Sequence, residues 1–205
     1  MVTPAATRPR FAILASGRGS NAEALMRAFE SGLIPATLAL VVSNVADAGV
    51  LALAAARGYP TRAIPHKGIG RREHEAQLLA SLRETAVDHL LLAGYMRILS
   101  HDFLAAWPGA ILNIHPALLP DFPGLHAAER QWEAGRKIAG ATVHFVDAGV
   151  DTGQVLLQGS LEVRGDEGPE GLAQRILTEI EHVIYPRAVR LFLDRGAIAP
   201  GQEKP

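Results

Sequence analysis

The sequence predicts an α/β fold, and three observations support this class. Apolar, β-rich runs recur along the first two-thirds of the chain, and amphipathic helical patterns lie between them. Alternation of this kind implies right-handed βαβ crossovers and therefore a Rossmann-like, mostly parallel sheet flanked by helices. After residue 140 two strand patterns follow each other directly, which predicts a hairpin-like or antiparallel element before a long C-terminal helix.

The predicted strands are mostly continuous apolar runs, as expected where both faces of a sheet are buried. They span residues 11–15, 38–43, 89–93, 111–115, 141–146 and 155–161. Helices are predicted at residues 21–30, 46–57 and 71–85. The final helix is expected to begin at Gly168-Pro169-Glu170, to kink at Tyr185-Pro186 and to end near Arg195-Gly196.

Length and composition limit the kinds of protein that this chain can be. A chain of 205 residues, 48% hydrophobic, favours one domain over residues 1–205 with flexible tails at residues 1–9 and 200–205. A net charge of -1 predicts no general attraction for nucleic acid or membranes. The lack of a spanning run or secretion signal predicts a cytoplasmic protein. We expect a monomer or homodimer. The absence of cysteine excludes disulfides, thiolate catalysis and thiolate metal sites.

The predicted strand at residues 111–115 places an amide and an imidazole on one face. Because side chains alternate along a strand, Asn113 and His115 point the same way, while Leu112 and Ile114 pack on the other side. The next nine residues contain three prolines and predict a stiff loop at a strand end, where α/β folds bind ligands. An amide beside a group that titrates near neutrality is suited to polarising and protonating a carbonyl.

The glycine-rich turn after the first strand leads into a helix N-terminus, where free N–H groups and the helix dipole favour phosphate. Two alternatives remain. Ser20 and Glu23 can form a capping box without a ligand, and Gly17-Arg18-Gly19-Ser20-Asn21-Ala22 fits the dinucleotide pattern G-x-G-x-x-A. The second strand ends in Val42-Ser43-Asn44, without the acid that dinucleotide sites use to bind ribose. The turn therefore favours a monophosphate over NAD.

Two further side chains are candidates to act with His115. A carboxylate at Asp151 would raise the pKa of His115 if the two lie together, but an Asx-turn at Asp151 fits the sequence equally well. His144 is predicted to be a hydrogen-bonded core histidine. A metal site of His115, His144 and Asp151 lacks the close spacing of helical zinc ligands, so the sequence predicts no metal.

Four segments together resemble the phosphoribosylglycinamide formyltransferase family. They are SGRGSN at residues 16–21, LAGYMRILS at 92–100, LNIHP with LLP at 112–120, and VHFV at 143–146 with Asp151. The resemblance spans nearly the whole chain. It implies that the formyl group of 10-formyltetrahydrofolate, a cosubstrate, is transferred to the amine of glycinamide ribonucleotide in de novo purine biosynthesis.

The resemblance also implies roles for individual residues. Asn113 and a protonated His115 would stabilise a tetrahedral oxyanion, and Asp151 would keep His115 charged. The residues implied in ribonucleotide binding are Gly19, Ser20, Asn21 and Glu181. Those implied in folate binding are Arg71 (with Arg72 as an alternative), Met96, Arg97, Ile98, Leu99, Asn113, Asp147, Ala148, Gly149, Val150 and Asp151. The sequence departs from the family pattern at Gln154 and Ala22, and neither change removes a group that the mechanism uses.

Three rival functions remain open. Formyltetrahydrofolate hydrolase transfers the formyl group to water, but usually has an N-terminal regulatory domain, for which a first strand beginning at residue 11 leaves no room. Methionyl-tRNA formyltransferase needs a basic RNA-binding domain that this near-neutral chain lacks. A non-catalytic nucleotide-binding module would explain the glycine turn, but would leave Asn113, His115 and Asp151 without a joint role.

Overall fold

A seven-stranded mixed sheet lies at the centre of the computed structural model, which describes residues 8–197. The sheet order is β3-β2-β1-β4-β5-β6-β7. The pairs from β3 to β5 are parallel, whereas β6 runs antiparallel to both β5 and β7. This confirms the predicted sheet and its antiparallel end. The strands are β1 (Arg10–Ala15), β2 (Thr37–Ser43), β3 (Thr61–Ala63), β4 (His89–Leu92), β5 (Ile111–His115), β6 (Ile138–Phe145) and β7 (Val155–Glu162).

Helices cover both faces of the sheet. They are α1 (Ser20–Glu30), α2 (Gly49–Ala56), α3 (Arg71–Glu84), α4 (His101–Ala106), α5 (Ala127–Glu133), α6 (Gly168–Arg175) and α7 (His182–Asp194), with a π-helical segment (Ile176–Glu181) between the last two. The long C-terminal helix is confirmed, with Pro169 in its first turn and Gly196 in the left-handed region after its end. Helix α7 runs through Pro186. The wide π turn was not predicted.

Three short elements were missed. Strand β3 has three residues, all exposed, and so has no apolar pattern. Helices α4 and α5 have six and seven residues, too few to show a clear helical period. Residues 1–7 and 200–205 of the predicted tails lie outside the described residues, whereas the carbonyl of Pro9 accepts the Thr37 N–H.

The core consists of two clusters, one on each face of the sheet. Phe11 and Ile13 of β1 pack into one cluster, which includes α1 and α7, while Ala12 and Leu14 pack into the other, which includes α3. Burial on both faces accounts for the continuous apolar runs in the sequence. No helix within residues 8–197 is long and apolar enough to cross a membrane.

Tyr185 connects α7 to the sheet next to the strand ends. Its hydroxyl oxygen lies 3.0 Å from the Leu92 carbonyl oxygen and 2.9 Å from that of Leu112, and the side chain is fully buried. A buried hydroxyl needs such partners, because an unpaired one would cost free energy. The contact fixes the end of β4 relative to β5, at the residue immediately before Asn113.

His89 makes the fold sensitive to acid. Its Nδ1 atom accepts the Ala110 N–H at 3.1 Å, and its ring packs against Phe11 and Phe192. Burial lowers the pKa of His89 below its ordinary value, although the charge of Asp88 acts in the opposite direction. The folded state therefore binds this proton less readily than the unfolded chain, and the stability present above about pH 6.5 is lost as the pH falls.

We expect His89→Asn to reduce the dependence of unfolding free energy on pH, because an Asn side chain keeps an acceptor near Nδ1 but takes up no proton. The slope between about pH 7.5 and pH 5.5 should decrease by up to about 1.4 kcal/mol per pH unit. Urea unfolding of both proteins at the two pH values measures the change. Equal slopes in the variant and the unmodified protein would contradict this account.

Candidate functional site

A cleft of about 610 Å³ opens at the carboxyl ends of β4 and β5. Its walls come from the segment after β4, the loop after β5, and the connection between β6 and β7. Of the residues predicted to bind folate, those lining the cleft are Met96, Arg97, Ile98, Leu99, Asn113, Asp147, Gly149, Val150 and Asp151. Arg71, exposed at the start of α3, and Ala148 do not line it.

Part of the lining was not anticipated. The loop after β5 contributes Gly124, Leu125 and His126, and β6 contributes His144. Leu125 is 74% exposed, as befits an apolar side chain at the mouth of a cleft. The proline pattern predicted a stiff loop here, but the sequence does not show which of its side chains turn back over the cleft.

Asn113, His115 and Asp151 meet in this cleft. Asn113 and His115 lie on one face of β5, while Leu112 and Ile114 are buried in the core on the other. Oδ2 of Asp151 lies 3.2 Å from Nδ1 of His115. The same oxygen accepts the Gly124 N–H at 2.8 Å. The β6–β7 connection thus brings the carboxylate to the strand that holds the imidazole.

Both ring nitrogens of His115 face acceptors, since Nε2 lies 2.9 Å from the Phe122 carbonyl oxygen. An imidazolium would satisfy both contacts and a neutral ring only one. Burial nevertheless lowers the pKa of His115 below its ordinary value, against the opposing effects of Phe122 and Asp151. Asp151 does act to raise this pKa, as predicted, but burial outweighs that effect, so the expectation that Asp151 keeps His115 charged is not met. The reason is that the residue is only 5% exposed.

Asp151 retains its negative charge. Burial acts to raise its pKa, but the contact with His144 and the hydrogen bond from the Gly124 N–H, with the charges of nearby histidines, outweigh burial and lower the pKa. The side chain that forms an Asx-turn is Asp147, whose Oδ1 accepts the Gly149 N–H at 3.0 Å and the Thr152 hydroxyl at 2.7 Å. Asp147 thereby stabilises the turn between β6 and β7, and Asp151 faces the histidines.

His144 lies directly opposite Asn113 in the antiparallel β5–β6 ladder. Its Nδ1 is 2.8 Å from the Phe145 carbonyl oxygen, and its Nε2 is 3.2 Å from Asn113 Nδ2. With a proton on Nδ1, Nε2 accepts an N–H from Asn113 and fixes the orientation of the amide. The same Nε2 is 3.5 Å from Asp151 Oδ1. His144 is buried, as expected of a core histidine, but it also contacts two of the catalytic candidates.

Residues 8–197 contain no group of three or more His, Cys, Asp or Glu side chains that could hold a metal ion. The cluster of His115, His144 and Asp151 is instead connected by contacts that suit proton exchange. Acid–base chemistry is what these groups could supply in the cleft.

The glycine turn requires glycine at position 19. Gly19 has φ 90°, and a Cβ there would lie 2.7 Å from Cβ of Val50. Gly19 caps α1 without a side-chain hydrogen bond, and Glu23 binds Arg27 and Arg57 at 2.7 and 2.8 Å. The capping-box alternative is therefore wrong. The first-turn N–H groups of a helix have no intrahelical partners, so this turn has the features of an anion site.

Asn21 and Glu181 meet although they are 160 residues apart, with Asn21 Nδ2 donating to Glu181 Oε2 at 2.5 Å. The π-helical segment ends at Glu181 and places this acid against α1. Burial raises the pKa of Glu181 against the effect of the Asn21 hydrogen bond. Oδ1 of Asn21 is buried without a hydrogen-bond partner. The pair thus has an unused acceptor. Neither residue lines the cleft, and nor do Gly19 and Ser20.

Residues 9–189 match the family described as Formyl transferase. The chain is 38% identical to phosphoribosylglycinamide formyltransferase of Bacillus subtilis, over 90% of this chain and 94% of that protein. It is 43% identical to the Drosophila melanogaster "Trifunctional purine biosynthetic protein adenosine-3" over 93% of this chain, but spans only 14% of that protein. Glycinamide ribonucleotide transformylase 1 from Symbiobacterium toebii superposes with a TM-score of 0.90 at 41% identity, over 96% and 93% of the two chains.

Proposed function

Because the chain belongs to the formyl transferase family, we propose that it transfers the formyl group of 10-formyltetrahydrofolate to the amine of glycinamide ribonucleotide. The names of its relatives in Bacillus and Symbiobacterium support this choice of acceptor. The observation on which the proposal chiefly depends is the convergence of Asn113, His115 and Asp151 in one cleft. A non-catalytic module would have no use for that arrangement.

We propose that the cleft holds the folate donor. Met96 and Ile98 are 69% and 60% exposed on one wall, and Leu125 lies at the mouth, so that apolar surface is available for the rings of folate. Residues 147–151 form the facing wall, with Ala148 as part of that loop. Arg71 is assigned to the acidic tail of folate, because an exposed guanidinium suits a carboxylate outside the cleft.

The ribonucleotide is assigned to the start of α1. Gly19, Ser20 and Asn21 present a helix N-terminus to its phosphate. Glu181 and the unpartnered Oδ1 of Asn21 are suited to the hydroxyl groups of its ribose, because each can accept a hydrogen bond.

The proposed reaction begins when the amine attacks the formyl carbon, forming a C–N bond and a tetrahedral oxyanion. Asn113, held by His144, donates an N–H to this oxygen. Because its pKa is lowered, His115 is mostly neutral at pH 7, and the proton that the attacking nitrogen loses can reach Nδ1 of His115 through the Asp151 carboxylate, whose Oδ2 lies 3.2 Å away. Asp151 stabilises the resulting imidazolium. Returning that proton to N10 of the folate lets the C–N10 bond break, which releases tetrahydrofolate and the formylated ribonucleotide.

An assay of the purified protein with 10-formyltetrahydrofolate, with and without glycinamide ribonucleotide, tests the proposal. We expect formation of tetrahydrofolate that depends on the acceptor and is abolished in His115→Ala. Turnover independent of the acceptor would instead indicate a hydrolase. Absence of turnover in both conditions would favour a different acceptor or a binding module.

We also propose that the protein acts in the cytoplasm on these two small molecules, without a metal, as a monomer or homodimer. The lack of cysteine and the net charge of -1 support this setting, because neither disulfides nor a general affinity for nucleic acid is indicated.

A further inference from the structure

The hydrogen-bond ladder between β1 and β4 continues beyond the end of β4 through a side chain. The Ala93 N–H donates to the Leu14 carbonyl at 2.9 Å, and the Ser16 N–H donates to the Gly94 carbonyl at 3.0 Å. The next donor is the Met96 N–H, which binds the hydroxyl oxygen of Ser16 at 2.8 Å. The backbone has by then turned toward α1, and the Gly17 carbonyl accepts the Val50 N–H. The Ser16 hydroxyl thus accepts the Met96 N–H in place of the backbone carbonyl that a continued β1–β4 ladder would supply.

Asn44 fixes the direction of this hydroxyl. The Ser16 O–H donates to Oδ1 of Asn44 at 2.6 Å, which leaves a lone pair of the Ser16 oxygen for the Met96 N–H. Asn44 follows β2 and is 2% exposed. It stands where dinucleotide sites place an acid for ribose, and here it orients a serine hydroxyl instead.

The segment that Ser16 holds is one wall of the cleft, residues 96–99, which we call the folate wall. Its far end is fixed by Glu75, which is 7% exposed and accepts the Ser100 N–H at 2.8 Å as well as the Ser100 hydroxyl. Between these two anchors, Met96 and Ile98 present exposed apolar side chains. The position of the wall therefore depends on a hydrogen bond at each end.

We propose that Ser16 is a positioning residue for the folate donor: its hydroxyl, oriented by Asn44, holds the folate wall in place. This inference rests on the proposed function, since it assumes that folate occupies the cleft. Ser16 also begins the turn to which the ribonucleotide phosphate is assigned, so it connects the two substrate sites while acting on only one of them.

The test is Ser16→Ala, which leaves the Met96 N–H without its acceptor. We expect KM for 10-formyltetrahydrofolate, and Kd for tetrahydrofolate measured by calorimetry, to rise about tenfold. KM for glycinamide ribonucleotide and kcat should change by less than about twofold. If Ser16 only stabilised the fold, its replacement would not raise KM for 10-formyltetrahydrofolate while leaving KM for glycinamide ribonucleotide unchanged.

Three variants provide the controls. Ser16→Thr keeps the hydroxyl and should restore folate affinity. Ser43→Ala removes a fully buried hydroxyl at the end of β2 whose oxygen accepts the Val45 N–H, and it should leave both KM values unchanged. Asn44→Ala should weaken folate binding in the unmodified protein but add little to Ser16→Ala, because the two residues form one unit.

Equal loss of affinity for both substrates in Ser16→Ala, or unchanged folate affinity, would overturn the inference. The calorimetric measurement separates this failure from failure of the proposed function. Suppose that the unmodified protein shows no acceptor-dependent turnover, and that Ser16→Ala binds tetrahydrofolate more weakly than Ser43→Ala does. The proposed reaction then fails and the role of Ser16 stands. If tetrahydrofolate does not bind the unmodified protein, both fail.

Discussion

Asn113→Ala should lower kcat for formyl transfer by roughly 10²- to 10³-fold, with little change in either KM. The loss is expected because the Asn113 amide is the uncharged donor that lies in the cleft beside His115, and its orientation is fixed by His144 Nε2 at 3.2 Å. A donor that acts where charge develops contributes mainly in the transition state. Steady-state kinetics with each substrate varied in turn measures the effect.

The control for this prediction is Asn113→Asp, which keeps the size of the side chain but replaces its donor with a carboxylate. Its kcat should fall at least as far as that of Asn113→Ala, because a second negative charge would oppose the oxyanion. A kcat near that of the unmodified protein in either variant would remove Asn113 from the mechanism.

Asp151→Asn should lower kcat/KM by roughly 10²- to 10⁴-fold. Burial already lowers the pKa of His115, and the carboxylate 3.2 Å away opposes that effect. Without its negative charge the pKa of His115 falls further, so the imidazolium that must protonate N10 forms less readily. The acid limb of the plot of kcat/KM against pH, where His115 becomes protonated in the free protein, should accordingly move to lower pH.

Glu129→Gln is a matched control for Asp151→Asn. Glu129 forms an exposed carboxylate–imidazole pair with His126 at 2.9 Å, so its replacement makes the same chemical change away from β5. Its kcat/KM and pH profile should be those of the unmodified protein. An acid limb that stays in place in Asp151→Asn would show that Asp151 does not act through His115.

The sequence predicted the features of the site that local pattern determines. The alternation within residues 111–115 placed Asn113 and His115 on one face. Side chains alternate along a strand, so burying Leu112 and Ile114 on one face puts the two polar side chains on the other. Proline and glycine located the loop after β5 and the turn before α1, because these residues restrict or extend the backbone in known ways.

The features that the sequence did not reveal depend on contacts between distant segments. His144 faces Asn113 only through the register of an antiparallel pair, and a shift of one residue would turn it away. The pKa of His115 depends on how deeply the fold buries it, which local sequence does not state. Asp147 and Asp151 are both compatible with an Asx-turn, and only the path of the loop determines which one faces the histidines.

The π-helical segment makes the position of Glu181 depend on chain length as well as on side-chain identity. A π turn contains one residue more than an α turn, and one residue corresponds to about 100° of rotation in an α-helix. Loss of one residue within residues 176–180 would let α6 and α7 join as regular helix, but would rotate the acid away from Asn21. A protein with that deletion would still have the glutamate in its sequence, but its side chain would no longer lie against Asn21.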